Sequence, residues 1–346
     1  MQKHLICSEC FNDEGLRIDA RQIGILNKKA CRNCNKKNGS KLTAKLISNL
    51  AYRFFVKGTS WKVEYGEAPL IKFNEHQKTS ITFKEPLKSD VVLIEKNINV
   101  GFFDYGPRLW MLGHIEPLKK LQTQKYRKEI IQRIVAEYPS LTLNNKAKFY
   151  RLRKNPKDPE NHSEYDSPPK SGNGRLDSNK LPILYASPDL EVCIHECRVT
   201  AIDHLFVGTL VPNTDLKLLN LAVILEEDCT EFESLDISVQ FLFYAESHSY
   251  EISREIAKEA KKSGFDGIIY PSYFSSLRTG SYPTETIYGM SIRKFPQYKN
   301  IVENQIIPNV ALFGRPIKEK KISVECINKV ILDRIDYHIH FGPTGY

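Results

Sequence analysis

Two Cys-x-x-Cys pairs stand near the start of the chain, Cys7 with Cys10 and Cys31 with Cys34, with twenty residues between them. Two residues between thiolates let both sulfurs face one ion from a tight knuckle. Two knuckles complete a tetrahedral shell of four sulfurs, the set that suits Zn²⁺. The spacing predicts a zinc ribbon over residues 1–40 with Cys7, Cys10, Cys31 and Cys34 as ligands. A redox pair or four unrelated thiols are the competing readings, but a thioredoxin-like motif needs a βαβ context that the first 40 residues lack. Gly15, Gly24 and Gly39 with Arg32, Lys36, Lys37 and Lys41 fit a small basic ribbon. A ribbon of that size is too small to fold alone, so the metal is expected to supply its stability. Cys193, Cys197, Cys229 and Cys326 are scattered. Cys193 and Cys197 fall four apart on an expected helix and read as small buried apolar residues.

Charge separates the chain into two parts. Residues 1–150 carry 27 Lys and Arg against 14 Asp and Glu, a net of +13, and residues 151–346 carry 23 against 27, a net of −4. A basic front and a mildly acidic back suggest two modules with different partners, the front suited to a polyanion such as nucleic acid. Across 346 residues, 41% hydrophobic and 26% charged content excludes wholesale disorder. No run approaches 18 apolar residues, so no membrane span is expected. The first residues lack the apolar core of a secretory signal. The expectation is a cytoplasmic protein with reduced thiols and no membrane partner.

Residues 41–57 place apolar residues at roughly helical spacing, and 117–138 read as a basic amphipathic helix stopped by Pro139. The charge on that second helix reads as a solvated face. From residue 149 the texture changes. Residues 149–153 read as a strand, 154–174 as a polar loop, 181–186 as a buried strand and 189–199 as a helix capped by Ser187 or Asp189. Strands follow at 207–211 and 216–219, a helix at 249–263 closed by Gly264, and strands at 265–271 and 309–313. Strands outnumber helices there, so this half is expected to be α+β rather than alternating βαβ.

Polar residues interrupt elements that would otherwise be core. Gly174-Arg175 closes the polar loop, Tyr185 sits within Leu-Pro-Ile-Leu-Tyr-Ala-Ser, and Glu196 interrupts the apolar helix. Gly267-Ile-Ile-Tyr270-Pro271-Ser272 is a strand that runs into a loop presenting Ser272. Glu196 shares a helix face with Val192, Cys193 and Val199, which predicts a partly buried carboxylate in need of a partner. Taken singly, each has an ordinary reading: Glu196 in a rim ion pair, Arg175 as a solvated loop charge, Tyr185 in the core and Ser272 as a turn residue.

In order, with Phe-Tyr-Arg151, His-Glu196-Cys-Arg and Asn309-Val-Ala-Leu-Phe313, these segments resemble the RES domain over residues 149–315. The resemblance implies an ADP-ribosyltransferase-like split β-sheet with NAD⁺ in its cleft. It also implies a toxin or anti-phage defence effector that destroys NAD⁺ by hydrolysis or phosphorolysis, or in some cases transfers ADP-ribose to a macromolecular target. An antitoxin or regulatory protein is the partner that such a toxin implies. The cysteine segment, Cys-Ser-Glu-Cys10 followed by Cys31-Arg-Asn-Cys34, resembles a zinc-bearing, HEPN-related domain found before RES domains. The expected layout is a ribbon at 1–40, a mixed, partly helical HEPN/RES-type domain at 41–145, the RES domain at 149–315 and a C-terminal extension at 316–346.

Within that resemblance, Glu196 would stabilise the positive charge that grows on the ribose as nicotinamide leaves. Arg151 and Arg175 suit bidentate, permanently charged recognition of the NAD⁺ pyrophosphate. Tyr185 would stack on the nicotinamide, with Tyr150 beside Arg151 on the same expected strand. Ser272 would hydrogen-bond the ribose or orient an acceptor, and it has no His/Asp relay that would make it an acyl-transfer nucleophile. Asn309 is a further cofactor-binding candidate. Two other readings lie in the front half. Arg108 and His114 match the Arg-x(4–6)-His spacing of HEPN ribonucleases, a pattern that chance also supplies. The basic ribbon could instead bind nucleic acid without catalysis, with steep salt dependence.

Overall fold

The computed structural model describes residues 4–63, 66–105, 115–169, 172, 174–245, 247–279, 286–287, 290–335, 339 and 341–344. Two compact units emerge, one of residues 1–109 with 336–346 and one of residues 110–335. The division therefore falls ahead of the expected boundary at 145–149. Arg108 and His114 lie outside the described residues.

In the N-terminal unit, strand β1 (Ile6–Cys7) leads through the first knuckle to helix α1 (Glu14–Ile23), and β2 (Lys41–Leu42) follows the second knuckle to pair antiparallel with β1. Helix α2 (Ala44–Ala51) continues through a wider π-type turn at Tyr52–Val56, which replaces the single helix expected over 41–57. The short strands β3 (Ser60–Val63) and β4 (Gly66–Pro69) pair, and β5 (Ile71–Asn74) pairs across helix α3 (Leu87–Ile98) with β6 (Gly101–Asp104). The helix starts follow from side-chain caps: Asp13 accepts from the Leu16 amide and Thr43 from the Leu46 amide. One core unites Ile6, Phe11, Leu16, Leu42, Ile47, Phe54, Phe55 and Phe102. The cysteine knuckles are thus built into a larger unit that also takes in residues expected to form a separate domain at 41–145. Phe341 packs against the same core, and its amide donates to buried Asp19. The last residues of the chain belong to this unit.

The second unit begins with helices α4 (Glu116–Gln122) and α5 (Gln124–Glu137), which divide the long helix expected over 117–138, and strand β7 (Ser140–Leu143). Then come β8 (Phe149–Lys154), β9 (Ile183–Ala186), α6 (Leu190–Glu196), β10 (Leu205–Pro212) and β11 (Leu216–Asn220). Helices α7 (Leu235–Tyr244) and α8 (Tyr250–Lys262) precede β12 (Gly267–Pro271) and the short α9 (Ser275–Thr279). The small pair β13 (Thr286–Ile287) and β14 (Met290–Ser291), helix α10 (Lys299–Asn304), β15 (Pro308–Phe313) and β16 (Ile322–Val330) complete it. Helix α7 was not expected from the sequence. Nor was β16, which makes residues 322–330 part of this unit instead of a trailing extension.

The strands form two sheets. Five run in the order β7-β11-β12-β15-β9, with β11 and β12 parallel and the other pairs antiparallel; three run β16-β10-β8, all antiparallel. A bridge between Tyr150 and Ser187 links β8 to the end of β9. Side chains alternate along each strand. Ile268, Tyr270, Ala311 and Phe313 face helices α4, α5, α7 and α8, whereas Ile269, Val310, Leu312 and Leu184 face the three-stranded sheet. Both faces of the central strands are covered, which is why β12 and β15 read as continuous apolar runs. Each fully buried Leu or Ile contributes about 1.5–3 kcal/mol. A Cβ on Gly267 would collide with the Ala311 carbonyl across the β12–β15 pair, so only glycine fits there. The Arg127 guanidinium on α5 reaches Glu251 and Glu255 on α8, both at 2.9 Å, and ties these helices over the sheet. The observed architecture is mixed α+β, as expected. Among the described residues, no helix is long and apolar enough to cross a membrane.

Candidate active site

The centre of the site is the carboxylate of Glu196, at the last turn of α6. Asp189 caps that helix by accepting from the Val192 amide at 3.0 Å. The Cys193 and Cys197 thiols point into β8 and donate to the carbonyls of Tyr150 at 3.3 Å and Leu152 at 3.7 Å. The helix is therefore seated on β8 by its cysteine face, and Glu196 turns away from it. Glu196 is exposed, contrary to the partial burial expected from its apolar neighbours. Its partners come from another direction. Ser272 Oγ donates to Oε1 at 2.8 Å, and Asn309 Nδ2 donates to the same oxygen at 2.6 Å. Among the described residues Oε2 accepts no hydrogen bond, so one oxygen is fixed and the other is open.

Sheet register produces this convergence. The β12–β15 pairing sets Tyr270 opposite Asn309, and Ser272 follows just beyond the end of β12. Ser272 and Asn309 are both buried. Ser272 Oγ also accepts from the Phe274 amide at 3.1 Å, and its own amide donates to the Ile307 carbonyl at 2.9 Å. The serine hydroxyl is thereby aimed before any ligand arrives. The Phe274 ring stacks on His195 with centroids 5.8 Å apart. His195, left out of the sequence-derived set, is thus one contact from the Glu196–Ser272 pair.

The other candidates are held by the protein itself. Arg151 is buried, and its guanidinium donates to the Tyr185 carbonyl at 2.8 Å and the Asp166 carbonyl at 3.1 Å, while its buried Nε has no partner among the described residues. Burial lowers its pKa to about 10, so it remains a cation at neutral pH. Arg175 donates to the carbonyls of Leu242 and Ala245 at the end of α7, and its guanidinium lies 4.7 Å from the Tyr250 ring centre. A lone carbonyl-free fork open to a pyrophosphate, the simplest form of the expected role, is not what either arginine presents. The Tyr185 hydroxyl accepts from the Leu176 amide at 2.8 Å and donates to Asp177 at 3.3 Å, and burial pushes its pKa well up. Tyr150 packs with Leu152 against α6, on the face of β8 opposite Arg151.

Tyr270 is a further buried tyrosine, on β12. Its ring lies 5.2 Å from that of Phe243, and its phenol is pushed far up first by burial, then by the negative charge of Glu196, with Tyr185 adding to the shift and Arg175 opposing it. The sequence reading treated Tyr270 only as part of a strand. The signal available there was a polar hydroxyl within an otherwise apolar run.

A separate cluster lies in the N-terminal unit. The Sγ atoms of Cys7, Cys10, Cys31 and Cys34 all lie within 4.8 Å of one another, with Cys7–Cys34 at 3.5 Å, Cys10–Cys31 at 3.6 Å and Cys7–Cys10 at 3.9 Å. A tetrahedron with metal–sulfur bonds of about 2.3 Å has edges of about 3.8 Å, so the four residues fit one Zn²⁺. Burial pushes the Cys7 thiol well up and Cys10 to about 11. Burial raises Cys31 too, but the amides of Cys34 and Asn33 and the thiols of Cys10 and Cys7 together outweigh it and lower it to about 7. A dication would favour the thiolate at all four.

Residues 148–281 match the RES domain family. No curated protein matches the chain. A chain of the M. tuberculosis MbcT-MbcA toxin-antitoxin complex aligns at 12% identity with a TM-score of 0.33, covering 58% of this chain and 92% of that one; a likeness of that size fixes neither chemistry nor partner. The RES match runs from the residue before β8 to just past α9 and contains Arg151, Arg175, Tyr185, Glu196 and Ser272, while Asn309 lies beyond it.

Proposed function

We propose that the second unit consumes NAD⁺ by breaking the bond between nicotinamide and ribose. The observation that carries this reading is the half-held carboxylate of Glu196, one oxygen fixed by Ser272 and Asn309 and the other open. In the reaction the C–N bond breaks, and its electron pair leaves with neutral nicotinamide. Positive charge grows on the ribose, and the open oxygen of Glu196 stabilises it. An oxygen of water or phosphate then forms the new bond to the anomeric carbon. The leaving group is neutral, so no strong acid is needed.

In this reading Arg151 is a positioning residue that acts through the Tyr185 carbonyl and holds β8 to β9. Arg175 caps α7 and in this reading adds a permanent positive charge for the dinucleotide phosphates. The two sheets meeting at Tyr150 and Ser187 support an ADP-ribosyltransferase-like split sheet. The biological role that goes with the RES match is that of a toxin or anti-phage defence effector restrained by an antitoxin. The Zn²⁺ at Cys7, Cys10, Cys31 and Cys34 would stabilise the N-terminal unit.

Incubating the purified protein with NAD⁺, with and without phosphate, and resolving products by NMR and mass analysis tests this reading. ADP-ribose indicates hydrolysis, a phosphorylated ADP-ribose indicates phosphorolysis, and a mass increment on protein indicates transfer to a macromolecule. Intact NAD⁺ after prolonged incubation would refute it.

A further inference from the structure

The strand that follows the second cysteine knuckle begins with a buried lysine. Lys41 is only 2% exposed. A buried ammonium is costly unless its protons are all bonded. Here Nζ donates to three backbone carbonyls, Gly39 at 2.7 Å and Lys36 and Lys37 at 3.3 Å each. No carboxylate is among these partners. The three carbonyls all belong to the segment between Cys34 and β2, so the lysine closes that segment onto itself.

Its backbone position places this closure beside the thiols. Lys41 stands opposite Cys7 in the β1–β2 pair, and it also bridges Ile25 in both directions. Gly39, whose carbonyl takes the shortest of the three bonds, approaches Cys7 so closely that a Cβ there would meet its Sγ at 2.7 Å. Within the knuckle, the Cys31 amide donates to the same Lys36 carbonyl, and the Asn35 amide donates to Cys31. Lys41 and the Cys31 turn therefore share an acceptor. A divalent ion on four thiolates carries two net negative charges, and a cation in the adjoining shell stabilises that anion.

We infer that Lys41 is a positioning residue of the cysteine cluster: its ammonium holds the second knuckle in the ligating shape and so sets how tightly the four thiolates hold a divalent metal. This rests on the reading of the four thiols as a metal centre. The knuckle is then formed before the metal arrives.

Cobalt(II) is the probe, titrated into the full chain against a competing chelator and followed by thiolate-to-cobalt charge-transfer absorption. Lys41→Met is expected to weaken Co²⁺ binding about 10–100-fold, the usual effect of losing a group that orients metal ligands. Lys41→Arg keeps the charge and should recover part of the loss. In metal-free protein, Lys41→Met should also alkylate several-fold faster at Cys31 and Cys34, read by mass spectrometry, with Cys193 as the internal control. Wild-type Co²⁺ affinity together with wild-type alkylation rates in Lys41→Met would overturn the inference. If the wild-type chain gives no charge-transfer band, the metal reading fails by itself, and alkylation alone then decides the role of Lys41. A check that needs no variant is hydrogen exchange on the metal-free wild type. The Cys31 and Asn35 amides should remain protected, and exchange at the unprotected rate would overturn the inference even if Lys41→Met does not fold.

Discussion

Replacing Glu196 by glutamine separates charge from shape at the centre of the site. The amide oxygen can still accept from Ser272 Oγ and Asn309 Nδ2, now 2.8 and 2.6 Å from Oε1, and the amide nitrogen takes the open position of Oε2. Glu196 is exposed and no described residue bonds Oε2, so the fold should change by no more than about 0.5 kcal/mol. What is lost is one negative charge facing the ribose. A pair of unit charges about 4 Å apart at an effective dielectric near 20 interacts by about 4 kcal/mol. At about 1.4 kcal/mol per factor of ten, kcat should fall about a thousandfold. The assay is NAD⁺ consumption under saturating substrate, beside a thermal melt and a direct NAD⁺ binding measurement on the same preparations. Melting temperature and binding should stay near wild type. Turnover within about tenfold of wild type would refute the electrostatic role given to Glu196.

Other perturbations test the supporting residues. Ser272→Ala removes one donor from Glu196 and leaves the Phe274 amide without its acceptor; hydrogen bonds to charged groups are worth about 1.5–3 kcal/mol, so kcat should fall roughly 10- to 100-fold, with the Ser272→Ala/Asn309→Ala pair losing less than the product of the two. Arg151→Met strips donors from the Tyr185 and Asp166 carbonyls, at about 1–3 kcal/mol for each left unpaired, so it should lower the melting temperature without any NAD⁺ present; an unchanged melt would show that Arg151 has no structural part. Asp203 is held down to about 2 by the Thr200 amide and hydroxyl, with Asn155 and Lys154 also near. Its stabilisation is therefore present above the unfolded carboxylate value of about 3.9 and is lost as pH falls towards 2. The melting difference between wild type and Asp203→Asn should be full at pH 6 and vanish at the acid end.

Local features of this protein were legible along the chain. Cys-x-x-Cys spacing fixes which sulfurs can share an ion, because two intervening residues permit few backbone paths, and the four thiols do converge. A helix cap at Ser187 or Asp189 and the buried strand ending in Ala186 follow from residue type and periodicity alone, and the structure selects Asp189. Helix α7 was missed because it is apolar on nearly every side, which erases the amphipathic signal. The units divide ahead of the expected boundary: α5 resembles the basic front in composition, yet it packs on α8, and β7 after it pairs with β11.

The sequence determined the cluster of thiols, the α+β character of the second half and the identity of the polar residues set among apolar ones. Tertiary structure decided what those residues do for each other. Ser272 and Asn309 lie far from Glu196 in the chain, and only the antiparallel register of β12 with β15 brings both donors to one carboxylate oxygen. The bridge between the two sheets at Tyr150 and Ser187 sets the guanidinium of Arg151 on a β9 carbonyl, and α7 directs that of Arg175 onto its own terminal carbonyls. The physical reason is distance. Caps, knuckles and periodic faces are set by neighbours within a turn, whereas a shared hydrogen-bond acceptor is set by strand pairing between residues that no local pattern connects.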